Sequence, residues 1–187
     1  MTSTTNRAYP AYHRVFILAI FSLALIVRFR YLLYIEHNVD HAYTVWQAMN
    51  TLTNGALPVA GQGTSVLFAN PPLTGYLYLP IVALTRSPLA VYVLVIALNT
   101  LGVWMTYRAV RAALGVYPAL IAAALMAVNP WVIEYSRTSW VQALLPFFVP
   151  AVAWLLWPVL LGISRRPVKR TMLGLIMTAL LAHTYLL

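Results

Sequence analysis

Long apolar runs separated by short polar clusters set the pattern of this chain. The first run is almost unbroken from Val15 to Val27, meets Arg28 and Arg30, and resumes over Tyr31-Leu32-Leu33-Tyr34-Ile35. About 20 predominantly apolar residues are needed to cross a bilayer as a helix, so the pattern predicts a first span at 14–35. Further spans are expected at 88–107, 118–133 and 140–163, with a partial fifth at 172–187. Between them, residues 36–86 are rich in Asn, Thr, Gly and Pro and read as a long extracytoplasmic loop. Within that loop Asp40–Leu52 has the spacing of a short amphipathic helix. Leu73–Leu84, behind Pro71-Pro72, is apolar but too short to span, so it is expected as an interfacial or re-entrant helix. The expected fold class is therefore all-α. It is a polytopic membrane protein of about five transmembrane helices, with short interfacial helices in the first loop and 1–187 forming one module. No internal repeat or low-complexity segment interrupts it.

Composition narrows the class. Of 187 residues 62% are apolar and only 8% charged, and the mean hydropathy is +0.80. Soluble domains carry about 45–50% apolar and about 25% charged residues, so this chain lacks the polar surface to cover a water-facing globule. Its formal charge of +9 would suggest nucleic acid in a soluble protein. Sorted along the alternating spans, that charge changes meaning. Arg7, Arg14, Arg108, Arg111, Arg165, Arg166, Lys169 and Arg170 fall on one side with no acid among them. The other side receives Arg28, Arg30, Arg86 and Arg137 together with Glu36, Asp40 and Glu134. That is the positive-inside pattern. It places the N-terminus in the cytoplasm, makes membrane lipids the surroundings and removes nucleic acid as a partner. The run Arg165–Arg170 reads as an orientation signal rather than a headgroup site. Arg7, His13 and Arg14 before an apolar stretch resemble a signal peptide, but arginines occupy the place of a cleavage site. The first helix is read as retained. Compact loops point to a prokaryotic plasma membrane. The absence of cysteine removes disulfides, thiolate nucleophiles and Cys-based metal sites.

Chemistry has few residues to use. All three carboxylates fall on the outer side, opposite the basic loops. Glu36 and Asp40 share one face if their junction is helical, and His37 and His41 repeat that spacing one residue later. Carboxylates at a membrane boundary, beside arginines, suit acid/base work or anion handling. For Glu36, interfacial solvation and pairing with Arg28 or Arg30 stands as an equal reading, whereas Asp40 lies deeper in the loop. His37, Asp40 and His41 are also donors a divalent metal accepts, without any fixed metal-binding spacing; a divalent metal stays open as a cofactor and no other is indicated. Arg28, Arg30 and Arg137, with Glu134 beside the last, would gather at the outer interface. Guanidinium groups there suit a lipid-linked phosphate, and snorkelling anchors are the plainer reading of each. Trp131, Tyr135 and Trp140 fit an aromatic interface belt. His183 is expected buried among helix contacts, with Asn99 the other polar group inside a span. Gly61–Gly63 lacks the strand–turn–helix setting of a nucleotide loop.

The order of motifs carries a resemblance. A first span ending in arginine leads to Asp40-His41-Ala42-Tyr43, then Ala48-Met49, Gly55-Ala56-Leu57-Pro58 and Asn70-Pro71-Pro72-Leu73-Thr74-Gly75-Tyr76-Leu77. A short turn from Tyr107-Arg108 to Gly115 follows, and a later span closes with Asn129-Pro130-Trp131 and Tyr135-Ser136-Arg137. From about Arg14 to Leu187 this resembles the N-terminal part of the polytopic GT-C glycosyltransferases, nearest to the family 39 protein O-mannosyltransferases and the lipid A aminoarabinose transferases. The resemblance implies transfer of a sugar from a polyprenyl-phosphate carrier to an acceptor on the extracytoplasmic side. Asp40 would be the general base or its positioning group, with Glu36 and His41 beside it. Arg28, Arg30, Arg137 and Glu134 would then surround the phosphate. The chain departs from the family at three places: His41 where a second acid is common, Asn70 before the Pro-containing segment, and Gln142 after the Tyr-Ser-Arg turn. Such enzymes are also much longer, so the resemblance implies a module completed by the rest of the enzyme or by a partner subunit. The substitutions keep open a non-catalytic protein of the same fold that binds a lipid-linked sugar or a partner.

Overall fold

Helix follows the apolar pattern along almost the whole chain. The computed structural model describes residues 12–30, 32, 39–64 and 68–184. Eight α-helices are present among the described residues: α1 (Tyr12–Phe29), α2 (Val39–Asn54), α3 (Leu73–Thr85), α4 (Pro88–Leu114), α5 (Val116–Val128), α6 (Pro130–Tyr135), α7 (Leu145–Leu160) and α8 (Pro167–Thr184). A 3-10 turn, Val141–Leu144, leads into α7. The only strand-like pairing among the described residues is one isolated antiparallel bridge, Gly63 to Ala69. Among the described residues two helical segments are long and apolar enough to cross a membrane, α4 and the continuous stretch Val141–Leu160. Helices α3 and α5 are apolar but only 13 residues each.

Several expected boundaries move, each for a local reason. The stretch expected at 88–107 continues as helix through Arg108 and Arg111 and stops at Gly115, whose φ of +91° only glycine adopts without strain. Pro88 starts that helix at a position where a missing N–H costs nothing. The stretch expected at 118–133 is broken instead. Asn129 caps a new helix by accepting a hydrogen bond from Val132 N at 3.2 Å, and Pro130 opens it. The described part of the first helix ends at Phe29, while 33–38 lie outside the described residues.

α4 is the spine, packed mainly against α5 and α7. Its first half joins α2, α3 and α7 in one core, where Val45, Tyr78, Val82, Val91, Val95 and Phe148 meet. Its second half joins α1 and α5 in another, built on Ala24, Val103, Tyr107 and the stripe Ala119, Ala123, Ala127. Small residues let the helix axes approach closely. Gly102 does the same toward α7, since a Cβ there would collide with the Pro146 carbonyl. On α5 the outward residues are the large ones: Tyr117, Ile121 and Leu125 are 66%, 62% and 64% exposed. Val15, Phe16, Leu18 and Ile26 of α1 and Met172, Leu175 and Ile176 of α8 are exposed as well.

Candidate functional site

Asp40 lies in the first turn of α2, where the positive end of the helix dipole favours a carboxylate. It is exposed, and its Oδ1 accepts a hydrogen bond from Gln62 Nε2 at 2.8 Å. Among the described residues no arginine pairs with it, which departs from the expected acid–arginine cluster. Gln62 is delivered by a narrow loop. Gly61 N donates to Asn70 O at 2.7 Å and Asn70 N returns to Gln62 O at 2.8 Å, with Asn70 Nδ2 on the same oxygen at 3.2 Å. Gly61 is required there because a Cβ would stand 2.5 Å from the Pro71 carbonyl oxygen. The loop is fastened to α2 by Gln47 Nε2, which donates to Ala60 O at 2.6 Å. It is fastened to α3 by the Tyr76 hydroxyl, which donates to Pro58 O at 2.8 Å. Four buried acceptors at this junction receive no hydrogen bond: Gln47 Oε1, Gln62 Oε1, Asn70 Oδ1 and Thr74 Oγ1.

The start of α2 also docks on the turn after α6. Thr44 Oγ1 donates to Ser139 O at 2.5 Å, and Ser139 Oγ donates to the His41 carbonyl. The His41 ring stands 6.3 Å from that of Trp140, centroid to centroid. One residue cluster further, Ser136 is fully buried and uses its hydroxyl completely. It accepts from Arg28 Nε at 3.1 Å and Asn99 Nδ2 at 3.2 Å, and donates to Val132 O at 2.5 Å.

Arg28 corrects an expectation. In place of an interface anchor, it is a fully buried side chain. Its Nη1 donates to Ala127 O at 2.9 Å and Ala24 O at 3.0 Å, and its Nη2 to Met126 O at 3.3 Å. A cation here satisfies carbonyls that the end of α5 leaves without intrahelical partners. With no exposed surface, its guanidinium offers no face to a ligand phosphate. Arg137 is half-buried and reaches the Val27 carbonyl from the turn. Arg30 is exposed just past α1, and Glu134 is exposed on α6. The structure therefore gathers His41, Arg28 and Arg137 around one turn and leaves Arg30 and Glu134 at its surface. Glu36 and His37 lie outside the described residues. Among the described residues no three His, Cys, Asp or Glu side chains converge on a point that could hold a metal ion.

Sequence reasoning missed Gln62, Ser136 and Ser139. Gln62 stands between Gly61 and Gly63, a spacing that signals close backbone approach rather than nucleotide binding. His183, expected buried, is exposed, whereas Asn99 is buried and bonded also to Ala143 O at 2.7 Å. Comparison with family models, with curated proteins and with solved structures returns no match to this chain.

Proposed function

We propose that the chain is a five-span membrane module, N-terminus cytoplasmic, of a glycosyltransferase in a prokaryotic plasma membrane. It would use a lipid-linked sugar donor on the side where Asp40 lies. The observation that carries this reading is Asp40 itself: an exposed carboxylate at a helix N-terminus, oriented by one amide. A base must be ionised, reachable and held in one direction. Asp40 would take the proton of an acceptor hydroxyl as its oxygen attacks the sugar C1. The C1–O bond to the polyprenyl phosphate then breaks, and the phosphate leaves with the electron pair. Arg137 at the neighbouring turn would meet its charge. The outward apolar faces of α1, α5 and α8 suit a lipid surround.

One observation favours a binding protein without catalysis. Asn70, in the place where relatives carry an acid, is buried and committed to the loop. Both readings are tested in proteoliposomes of the full chain supplied with radiolabelled polyprenyl-phosphate hexoses and pentoses. Transfer that falls about 100-fold or more in Asp40→Asn, at equal insertion, supports the enzyme. Retained donor binding without transfer in the unaltered chain supports the binding protein. Transfer unchanged by Asp40→Asn defeats the proposed role of Asp40.

A further inference from the structure

At the other end of the bundle the start of α1, the end of α4, the end of α7 and the start of α8 converge. Arg111 lies 12 residues beyond Asn99 on α4, about 18 Å along the helix. Arg108, Arg111 and Arg170 line a cleft of about 330 Å³ there, against Trp154 and Pro158. A second cleft, of about 530 Å³, shares Arg108 and Arg111 and runs between α1 and α4 over Ile17, Leu18, Phe21 and Leu101. None of the described residues lining either cleft is acidic.

The guanidinium groups are ordered by aromatic rings. Arg108 lies 5.2 Å from the centre of the Trp104 ring, and Arg170 lies 5.8 Å from that of Trp154. Trp104 and Trp154 meet edge to face at 5.3 Å. Arg170 Nη1 also donates to Trp154 O at 3.0 Å, and Arg111 Nη1 donates to the Tyr107 hydroxyl at 3.3 Å. The contacts of Arg108 and Arg170 leave further N–H groups on a planar, permanently charged fork, the arrangement that binds phosphate oxygens. Orientation charges alone need no such cleft, because a positive-inside signal depends on number and side rather than geometry. The apolar groove opening from the same two arginines distinguishes an amphiphile from a free anion.

We propose that this end holds an anionic membrane phospholipid, its headgroup phosphate on Arg108, Arg111 and Arg170 and one acyl chain along the α1–α4 groove. The proposal needs α4 in a membrane and is independent of any role for Asp40. Native mass spectrometry of the full chain, released from detergent containing equal phosphatidylglycerol and phosphatidylcholine with identical chains, tests it. One phosphatidylglycerol should be retained in preference. At roughly fivefold per arginine, Arg108→Gln/Arg170→Gln should lower that adduct about 30-fold and leave the phosphatidylcholine adduct unchanged. Arg108→Gln alone, at an exposed position, should lower it about fivefold with helicity intact by circular dichroism. Arg165→Gln/Arg166→Gln, in the adjoining cleft that shares Arg170, should lower it clearly less than the Arg108/Arg170 pair does. Equal retention of the two lipids overturns the proposal. So does a loss from the Arg165/Arg166 pair as large as that from Arg108/Arg170, which would indicate diffuse charge. Full displacement by millimolar inorganic phosphate overturns it in favour of a soluble anion.

Discussion

Arginines occupy both ends of this bundle and do opposite things. Arg28 is enclosed, and every one of its hydrogen bonds ends on a neutral oxygen of the protein, at Ala24, Met126, Ala127 and Ser136. Arg108, Arg111 and Arg170 keep their guanidinium groups along an open cleft, steadied mainly by ring faces. The difference follows from what each helix end offers. Helix α5 stops at Asn129 with carbonyls that must find donors, and the last turn of α1 brings a cation to them. Helix α4 ends at Gly115, whose N–H returns to Arg111 O at 3.2 Å, and Arg111 Nη1 donates to a side-chain hydroxyl, that of Tyr107. Arginine is thus a structural element enclosed in the fold at one end and lines an open cleft at the other.

The largest effect should come from removing the enclosed cation. Arg28→Leu strands the Met126 and Ala127 carbonyls and takes a donor from Ser136. Each buried polar group left unpaired costs about 1–3 kcal/mol, so a loss of about 3 kcal/mol is expected. Equilibrium unfolding in mixed micelles measures it. Arg28→Lys should restore less than half, because one ammonium cannot reach carbonyls on two helices and a hydroxyl together. A loss under about 1 kcal/mol for Arg28→Leu would mean that water replaces the guanidinium, and the contrast between the two ends would collapse.

Ser136→Ala comes next. It removes the acceptor shared by Arg28 Nε and Asn99 Nδ2, while Asn99 keeps Ala143 O and Arg28 keeps its carbonyls. About 1–2 kcal/mol is expected. Combined with Arg28→Leu the losses should fall short of the sum, since both substitutions delete one contact. Strict additivity would separate the serine from the arginine.

Much of the fold was legible because punctuation residues carry it. The helix expected at Asp40–Leu52 is Val39–Asn54, and that expected at Leu73–Leu84 is Leu73–Thr85; polar breakers and Pro72 delimit both. Boundaries failed where hydropathy was allowed to outrank backbone chemistry. Arg108 and Arg111 end an apolar window but not a helix, whereas Asn129-Pro130 sits inside an apolar window and ends one. The candidate site was legible only in part. Asp40 stood out as one of three acids, but its partner Gln62 comes from a loop 22 residues on. The fate of Arg28 depended on carbonyls 98 and 99 residues away, which no local pattern encodes. Side-chain type announces available chemistry, while packing decides whether a group is consumed.

The smallest effect sharpens that last distinction. Arg108 is exposed, it stacks on Trp104, and no backbone carbonyl depends on it among its described hydrogen bonds. An exposed cation–π contact contributes about 0.5–1 kcal/mol, so Arg108→Gln should shift unfolding by no more than that. Unfolding in detergent free of anionic lipid provides the reading, because a bound lipid would add its own stabilisation by mass action. Adding phosphatidylglycerol should then stabilise the unaltered chain more than Arg108→Gln and stabilise Arg28→Lys as much as the unaltered chain. An arginine built into the fold changes stability whether or not lipid is present. An arginine kept for a ligand changes stability only when the ligand is there. If Arg108→Gln instead costs 2 kcal/mol without lipid, then Arg108 belongs with Arg28, and both ends use their arginines alike.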